Sequence, residues 1–221
     1  MNDIVKQAPK FKICGMRYLP NVKELLAFKP DYLGFIFFVG SKRFTAAHEM
    51  DRIVKLDFGN TKRVGVFVNE DIETVLEFRD RGYFEVVQLH GDETPEYAGR
   101  LKKEGLEVIK AINVDDQLNG ETLNAYHGHL DYLLFDTKGK YRGGNGWKFD
   151  WNILKRINHK TPFILSGGLT PADIEKTLSL NIPEMKVLDF NSQLEVKPGI
   201  KNVSLVEELV QTLAEINKKT A

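Results

Sequence analysis

Eight short runs of apolar, β-branched and aromatic residues recur along the 221-residue chain, their starts 21 to 31 residues apart. They are Phe11–Cys14, Tyr32–Val39, Arg63–Val68, Val86–His90, Val108–Val114, Tyr132–Asp136, Phe163–Ser166 and Val187–Phe190. Several, such as Leu33-Gly34-Phe35-Ile36-Phe37-Phe38, are apolar at consecutive positions, the pattern of parallel strands buried on both faces. Helical spacing fills the intervals. Pro20–Phe28 puts Val22, Leu25 and Leu26 on one face, and Asp71–Arg79 does the same with Ile72, Val75 and Leu76. Thr170-Pro171 reads as an N-cap followed by proline at the first helical position, and Val203–Ile216 forms the last amphipathic helix. Between Asp115 and His129 the pattern is interrupted by Gly120 and Gly128. Parallel strands need crossover connections, and eight of them close into a (β/α)8 barrel within about 200–250 residues. An open doubly wound sheet ordinarily uses fewer strands at this length. No Pro/Ser-rich linker divides the chain, so the expectation is an α/β protein with a single TIM-barrel domain over residues 11–221, preceded by a 1–10 extension.

Composition narrows the class. Thirty-one Lys+Arg balance 31 Asp+Glu, so no global field draws the chain to phosphate backbones or anionic lipid. A lone cysteine cannot form an intrachain disulfide and fits a reducing compartment. Met1–Lys10 lacks a continuous apolar stretch, and no run approaches the ~20 residues of a membrane span. The expected location is the cytoplasm, with neither nucleic acid nor membrane as a partner.

In such a barrel the active site lies at the C-terminal ends of the strands. The residues there are Cys14-Gly15, the Gly40-Ser41-Lys42-Arg43 turn, Asn69, His90-Gly91-Asp92, Asp136-Thr137, Ser166-Gly167-Gly168 and Asp189-Phe190-Asn191-Ser192. Gly167-Gly168, between the seventh strand and a helix start, suits a phosphate held on backbone N–H groups, or equally a tight turn. Gly143-Gly144-Asn145-Gly146 is either a second donor loop or a flexible connection. Cys14 is either a small core filler or a reactive group, whose thiol pKa near ~8.5 must fall for it to act as a base at neutral pH. Asp136 is a helix cap, an ion-pair partner or a catalytic acid, because a carboxylate buried alone is too costly. Arg43 either clamps a carboxylate or is solvated, and His90 is either functional or a satisfied strand-end histidine. No His/Cys/Asp cluster has metal-ligand spacing, and no phosphate loop or dinucleotide fingerprint supports a nicotinamide cofactor.

Taken in order, these blocks resemble the phosphoribosylanthranilate isomerase family of tryptophan biosynthesis. The matching segments are Lys12-Ile13-Cys14-Gly15-Met16-Arg17, Leu33–Phe37 with Ser41-Lys42-Arg43, Val64–Asn69, Val87–Glu93, Phe135-Asp136-Thr137 with Gly143–Gly146, Leu165–Leu169, and Asp189–Ser192 running to Pro198-Gly199-Ile200-Lys201. The resemblance implies a cofactor-free Amadori rearrangement of N-(5-phosphoribosyl)anthranilate. It makes Asp136 the general acid, Cys14 the general base, and Arg43 the holder of the anthranilate carboxylate. Asp189 would orient the sugar. Gly143, Gly144, Gly146, Gly167, Gly168, Asn191 and Ser192 would bind phosphate, and His90 joins the substrate-binding set without a chemical step. The implied partner is a small phosphosugar, with room for transient contact with neighbouring pathway enzymes. One departure is Ser192-Gln193-Leu194-Glu195, where many relatives read Ser-Gly-Val-Glu. Another is Arg17, where many carry threonine. Two other readings stand beside this one: a different phosphosugar aldose–ketose isomerase on the same barrel, and a non-catalytic binder of a phosphate ligand.

Overall fold

The computed structural model describes residues 8–114, 118, 120–137, 149–157 and 160–219. Strands β1 (Lys10–Met16), β2 (Tyr32–Ile36), β3 (Lys62–Phe67), β4 (Val86–Leu89), β5 (Glu107–Val114), β6 (Tyr132–Thr137), β7 (Phe163–Leu165) and β8 (Met185–Phe190) pair in chain order into a closed barrel. Every neighbouring pair is parallel, and β8 returns to β1 with Asp189 opposite Lys12. Each expected run overlaps one strand, and β1, β3, β5, β6 and β8 reach one or two residues beyond theirs. The longest, Tyr32–Val39, stays in the sheet only to Ile36, because the chain then turns, with Ser41 N–H donating to the Phe38 carbonyl.

The crossovers carry α1 (Leu19–Leu26), α2 (Ala47–Ile53), α3 (Ile72–Asp80), α4 (Pro95–Lys103), α5 (Gly120–Asn124), α6 (Ile174–Ser179) and, after the last strand, α7 (Val203–Lys219). One crossover, between β6 and β7, is described only in part. The described residues there hold a 3-10 turn, Trp151–Lys155, capped by Asp150 accepting from Asn152 N–H. The glycine-interrupted stretch yields only the five-residue α5, with Gly128 in the left-handed region at φ 80°. At Thr170 the proline-led start is a 3-10 turn, Pro171–Asp173, that runs into α6. A two-stranded antiparallel hairpin, β9 (Glu195–Lys197) and β10 (Ile200–Lys201), follows β8.

Strand alternation sorts the buried side chains into two layers. Tyr32, Val64, Val66, Val86, Ile109, Leu134, Ile164 and Val187 fill the inside of the barrel. Their neighbours along the strands, such as Ile13, Leu33, Phe67, Val87, Leu133 and Leu188, join the larger core between sheet and helices, which Val22, Val75, Ile174, Val206 and Leu209 complete. Barrel interiors of this kind are packed with side chains, which leaves the C-terminal mouth as the place where polar groups converge. No helix among the described residues is long and apolar enough to cross a membrane.

Candidate active site

The alternation that fills the barrel also aims its mouth. Cys14, Asp136 and Asp189 lie two residues beyond Lys12, Leu134 and Val187 on the same inward face of β1, β6 and β8, and all three are buried. Lys12 is fully buried below Cys14. Its Nζ donates to Asp189 Oδ1 at 3.0 Å, and its charge acts on the Cys14 thiol two residues on. Burial alone would strip the Lys12 proton, but Asp189 and Cys14 more than offset this and hold its pKa above the ordinary lysine value. Burial pushes the Cys14 thiol up, Lys12 and Lys201 pull it down, and Asp189 adds to the rise. Gly34 on β2 makes the space for this thiol: a Cβ there would stand 2.8 Å from Cys14 Sγ.

Asp136 is pushed up to about 6, chiefly by burial, against a Thr137 N–H that donates to its Oδ1 at 2.8 Å. The charge of Asp189 raises it further, and that of Lys12 lowers it. The Lys12–Asp189 pair therefore acts on both titratable groups of the mouth. His90 Nε2 lies 3.6 Å from Asp136 Oδ2, and His90 Nδ1 is 3.0 Å from Gln88 Nε2 on β4. His90 is thus held beside the carboxyl rather than left as a detached strand-end residue.

Arg43 is not solvated. Its Nε and Nη2 form a two-bond fork on Glu195 of the hairpin, at 2.8 and 2.7 Å. The arm runs over Gly15, where a Cβ would lie 2.6 Å from Arg43 Cδ and 2.7 Å from Asn191 Oδ1, and where φ is 74°. Lys201, with a fully buried side chain, donates at 2.8 Å to Glu195 Oε1, the oxygen that also accepts from Arg43 Nε, and to Asn191 O and Oδ1 at 3.2 and 2.8 Å. Burial lowers Lys201 to about 8 despite its anionic partner. Glu195 is held below its ordinary range because Arg43 and Lys201 outweigh its own burial. Ser192 opens a 3-10 turn, Ser192–Leu194, directly above β8, and this turn includes Gln193.

After β7 both glycines adopt left-handed backbone, Gly167 at φ 98° and Gly168 at φ 64°. A Cβ on Gly167 would lie 2.3 Å from Thr137 Oγ1, so the close pass of this turn over the end of β6 requires glycine. Gly143, Gly144 and Gly146 lie outside the described residues.

The structure thus gathers Cys14, Arg43, His90, Asp136, Gly167, Gly168, Asp189, Asn191 and Ser192 at the strand ends or in the turns directly after them. It adds Lys12, Gln88, Glu195 and Lys201, which sequence reasoning passed over. Lys12 and Gln88 did leave a trace, as polar residues inside runs otherwise apolar on both faces. Glu195 and Lys201 lie in a hairpin that no strand periodicity announces.

Against this geometry, comparison with known proteins gives one consistent result. The family model for N-(5'phosphoribosyl)anthranilate (PRA) isomerase matches residues 11–212. The chain is 36% identical to N-(5'-phosphoribosyl)anthranilate isomerase of Parabacteroides distasonis over 91% of its own length and 92% of the relative's. It is 38% identical to the protein of that name from Clostridium acetobutylicum, over 91% and 96%. Phosphoribosyl anthranilate isomerase from Thermus thermophilus superposes with a TM-score of 0.83 at 29% identity, covering 94% of this chain and 99% of that one. A phosphoribosyl anthranilate isomerase solved in complex with reduced 1-(o-carboxyphenylamino)-1-deoxyribulose 5-phosphate superposes with a TM-score of 0.75 at 28% identity, with the same coverage.

Proposed function

This chain belongs to the N-(5'-phosphoribosyl)anthranilate isomerase family, and on that premise we propose that it converts N-(5'-phosphoribosyl)anthranilate to 1-(2-carboxyphenylamino)-1-deoxyribulose 5-phosphate, a step of tryptophan biosynthesis. The observation that carries the reading is that a thiol and a carboxyl, Cys14 and Asp136, project into one barrel mouth from strands on different sides of it. Asp136, its pKa raised to about 6, still holds a proton in part of the population near neutrality. It gives that proton to the furanose ring oxygen as the C1–O bond breaks, and the anthranilate nitrogen lone pair forms the C=N bond of an iminium. The iminium acidifies the neighbouring C2–H. The Cys14 thiolate takes that proton, the C–H electrons become the C1=C2 bond of an enolamine, and proton shift from the C2 hydroxyl to C1 gives the ketone.

The remaining residues position the substrate. A guanidinium carries five N–H donors, and Arg43 uses two groups on Glu195, so part of its fork stays available for the anthranilate carboxylate. The Gly167-Gly168 turn, Asn191, Ser192 and the Gly143–Gly146 loop take the phosphate, Asp189 orients the sugar hydroxyls, and His90 lines the pocket beside Asp136. The side chain of Gln193 sits in the Ser192–Leu194 turn, where a glycine would let phosphate approach the backbone more closely. We take the residues before Lys10, which already pairs with Val187 in β1, as an extension of the barrel domain, one residue shorter than the expected 1–10, and place the enzyme in the cytoplasm, acting on a small phosphosugar.

The test is a coupled fluorescence assay, with substrate generated in situ from anthranilate and phosphoribosyl pyrophosphate. Added protein should accelerate the emission decay, and Cys14→Ser and Asp136→Asn should each lower kcat by about 10²–10⁴-fold while folding normally. Decay at the spontaneous rate with folded wild-type protein, or near-normal turnover by both variants, would overturn the reading.

A further inference from the structure

A buried cysteine is a poor base. Taking a thiol out of water penalises its charged form, and Cys14 is only 4% exposed. Something in the barrel must favour the thiolate if the chemistry proposed above is to run, and this inference rests on that reading. Among the described residues, the charged groups that face Cys14 or its immediate partners are Lys12 on its own strand, Asp189 on β8, Asp136 on β6, which shares the field of Lys12 and Asp189, and Lys201 on β10, itself faced by Glu195 and Arg43. They are not equivalent. Lys201 is committed to Glu195 and to two oxygens of Asn191. Asp136 and Asp189 are acidic and oppose an anion nearby. Lys12 is different: it lies two residues before Cys14 on the same inward face, its side chain is wholly buried, its ammonium is fixed on Asp189, and its charge favours the thiolate.

We propose that Lys12 is a positioning residue for the reaction: clamped by Asp189 across the β8–β1 seam and placed one side chain below Cys14 on the same inward face, its ammonium is the counter-charge that lets Cys14 become a thiolate inside the barrel. Asp189 then has a role besides any contact with the sugar. It compensates a cation that would otherwise be buried alone, and it fixes where that cation points. Because Lys12 also lowers the pKa of Asp136, one ammonium sets the ionisation of both proton-transfer groups. Lys12 touches no reacting atom in this scheme.

Cys14 is the only cysteine of the chain, so its ionisation can be read without turnover, from thiolate absorbance near 240 nm with Cys14→Ser as the blank. Lys12→Met keeps the length of the side chain and removes its charge. It should lower the thiolate fraction at a fixed pH below the midpoint about tenfold, the equivalent of one pKa unit. It should also lower kcat more than it raises KM and move the whole pH profile of kcat/KM upward, whereas Lys12→Arg should retain most of the wild-type titration. A folded Lys12→Met protein with the wild-type 240 nm titration would overturn the proposal. Should that variant fail to fold, Lys12→Gln is read in its place, and a folded Lys12→Gln protein with the wild-type 240 nm titration would overturn it equally. Absence of isomerase turnover in the wild type would instead remove the reading on which the proposal rests, while leaving the thiol titrations to stand or fall by themselves.

Discussion

The two proton-transfer groups have their ionisation pushed in the same direction by burial, with unequal consequences. Asp136 must be protonated to act and Cys14 must not be, yet the acid sits at about 6 and the thiol above its ordinary value. The working combination is therefore a minority species, whose share rises with pH up to about 6, stays level through neutrality, and falls once the thiol has ionised. Accordingly kcat/KM should climb to about pH 6, show a plateau across pH 7, and decline only on the alkaline side; a maximum confined to pH 4–5 would contradict the assignment. Stability carries a related signature. The native Asp136 keeps its proton to about pH 6, and an unfolded one releases it near 3.8, so its contribution is present below pH 3.8 and is lost as pH rises through 6. Asn can still accept from Thr137 N–H and never ionises. Asp136→Asn should therefore be more stable than wild type at pH 7 by about 1–3 kcal/mol, with the gap closing below pH 4 in urea titrations. A variant that loses activity while gaining stability would mark Asp136 as a group kept for chemistry.

Among the elements, the β9–β10 hairpin matters most to the site. It brings Glu195 and Lys201 back over the ends of β8 and β1, where Glu195 receives Arg43 from the β2–α2 turn and Lys201 from β10. One carboxylate thus neutralises two largely buried cations from separate segments. Glu195→Gln leaves both without an anion, and removing one partner of a buried ion pair is more damaging than the pair is stabilising. The expected cost is on the order of 3 kcal/mol in urea unfolding. The freed Arg43 should also raise KM several-fold with little change in kcat, because Arg43 positions substrate and transfers no proton. Equal loss of kcat and kcat/KM would place Glu195 in the chemistry instead.

For the molecule as a whole, closure decides cooperativity. The seam joining the first and last strands is the β1–β8 pair, with Lys12 opposite Asp189, and it runs without the register shifts found in β1–β2 and β7–β8. The large outer core runs without a break from Phe11 to Ile216. The expectation is a single transition in urea. Cys14, on β1 and buried, should react with a thiol reagent at the same midpoint at which far-UV circular dichroism is lost. Earlier exposure of the thiol would show that the β1 region opens separately.

Much of this was legible before folding. Hydrophobic runs buried on both faces, repeated eight times with crossover-length intervals, leave a closed parallel barrel as the economical solution, and a barrel of this kind places its chemistry at the strand ends. Cys14, His90, Asp136, Gly167 and Asp189 could be picked out because strand periodicity is local and each of them ends a run or opens the turn that follows. The sixth crossover was less legible: no local pattern announced that Trp151–Lys155 winds as a 3-10 turn. The charge partnerships were not legible at all. Lys12 meets Asp189 across 177 residues, and Arg43 meets Glu195 across 152. No local pattern encodes which buried cation will find which carboxylate, because that depends on barrel closure, strand register and the cost of taking each charge out of water. The chain's own pattern thus dictated the barrel and the residues at its mouth, whereas tertiary packing determined their ionisation, and with it how a buried thiol can work as a base.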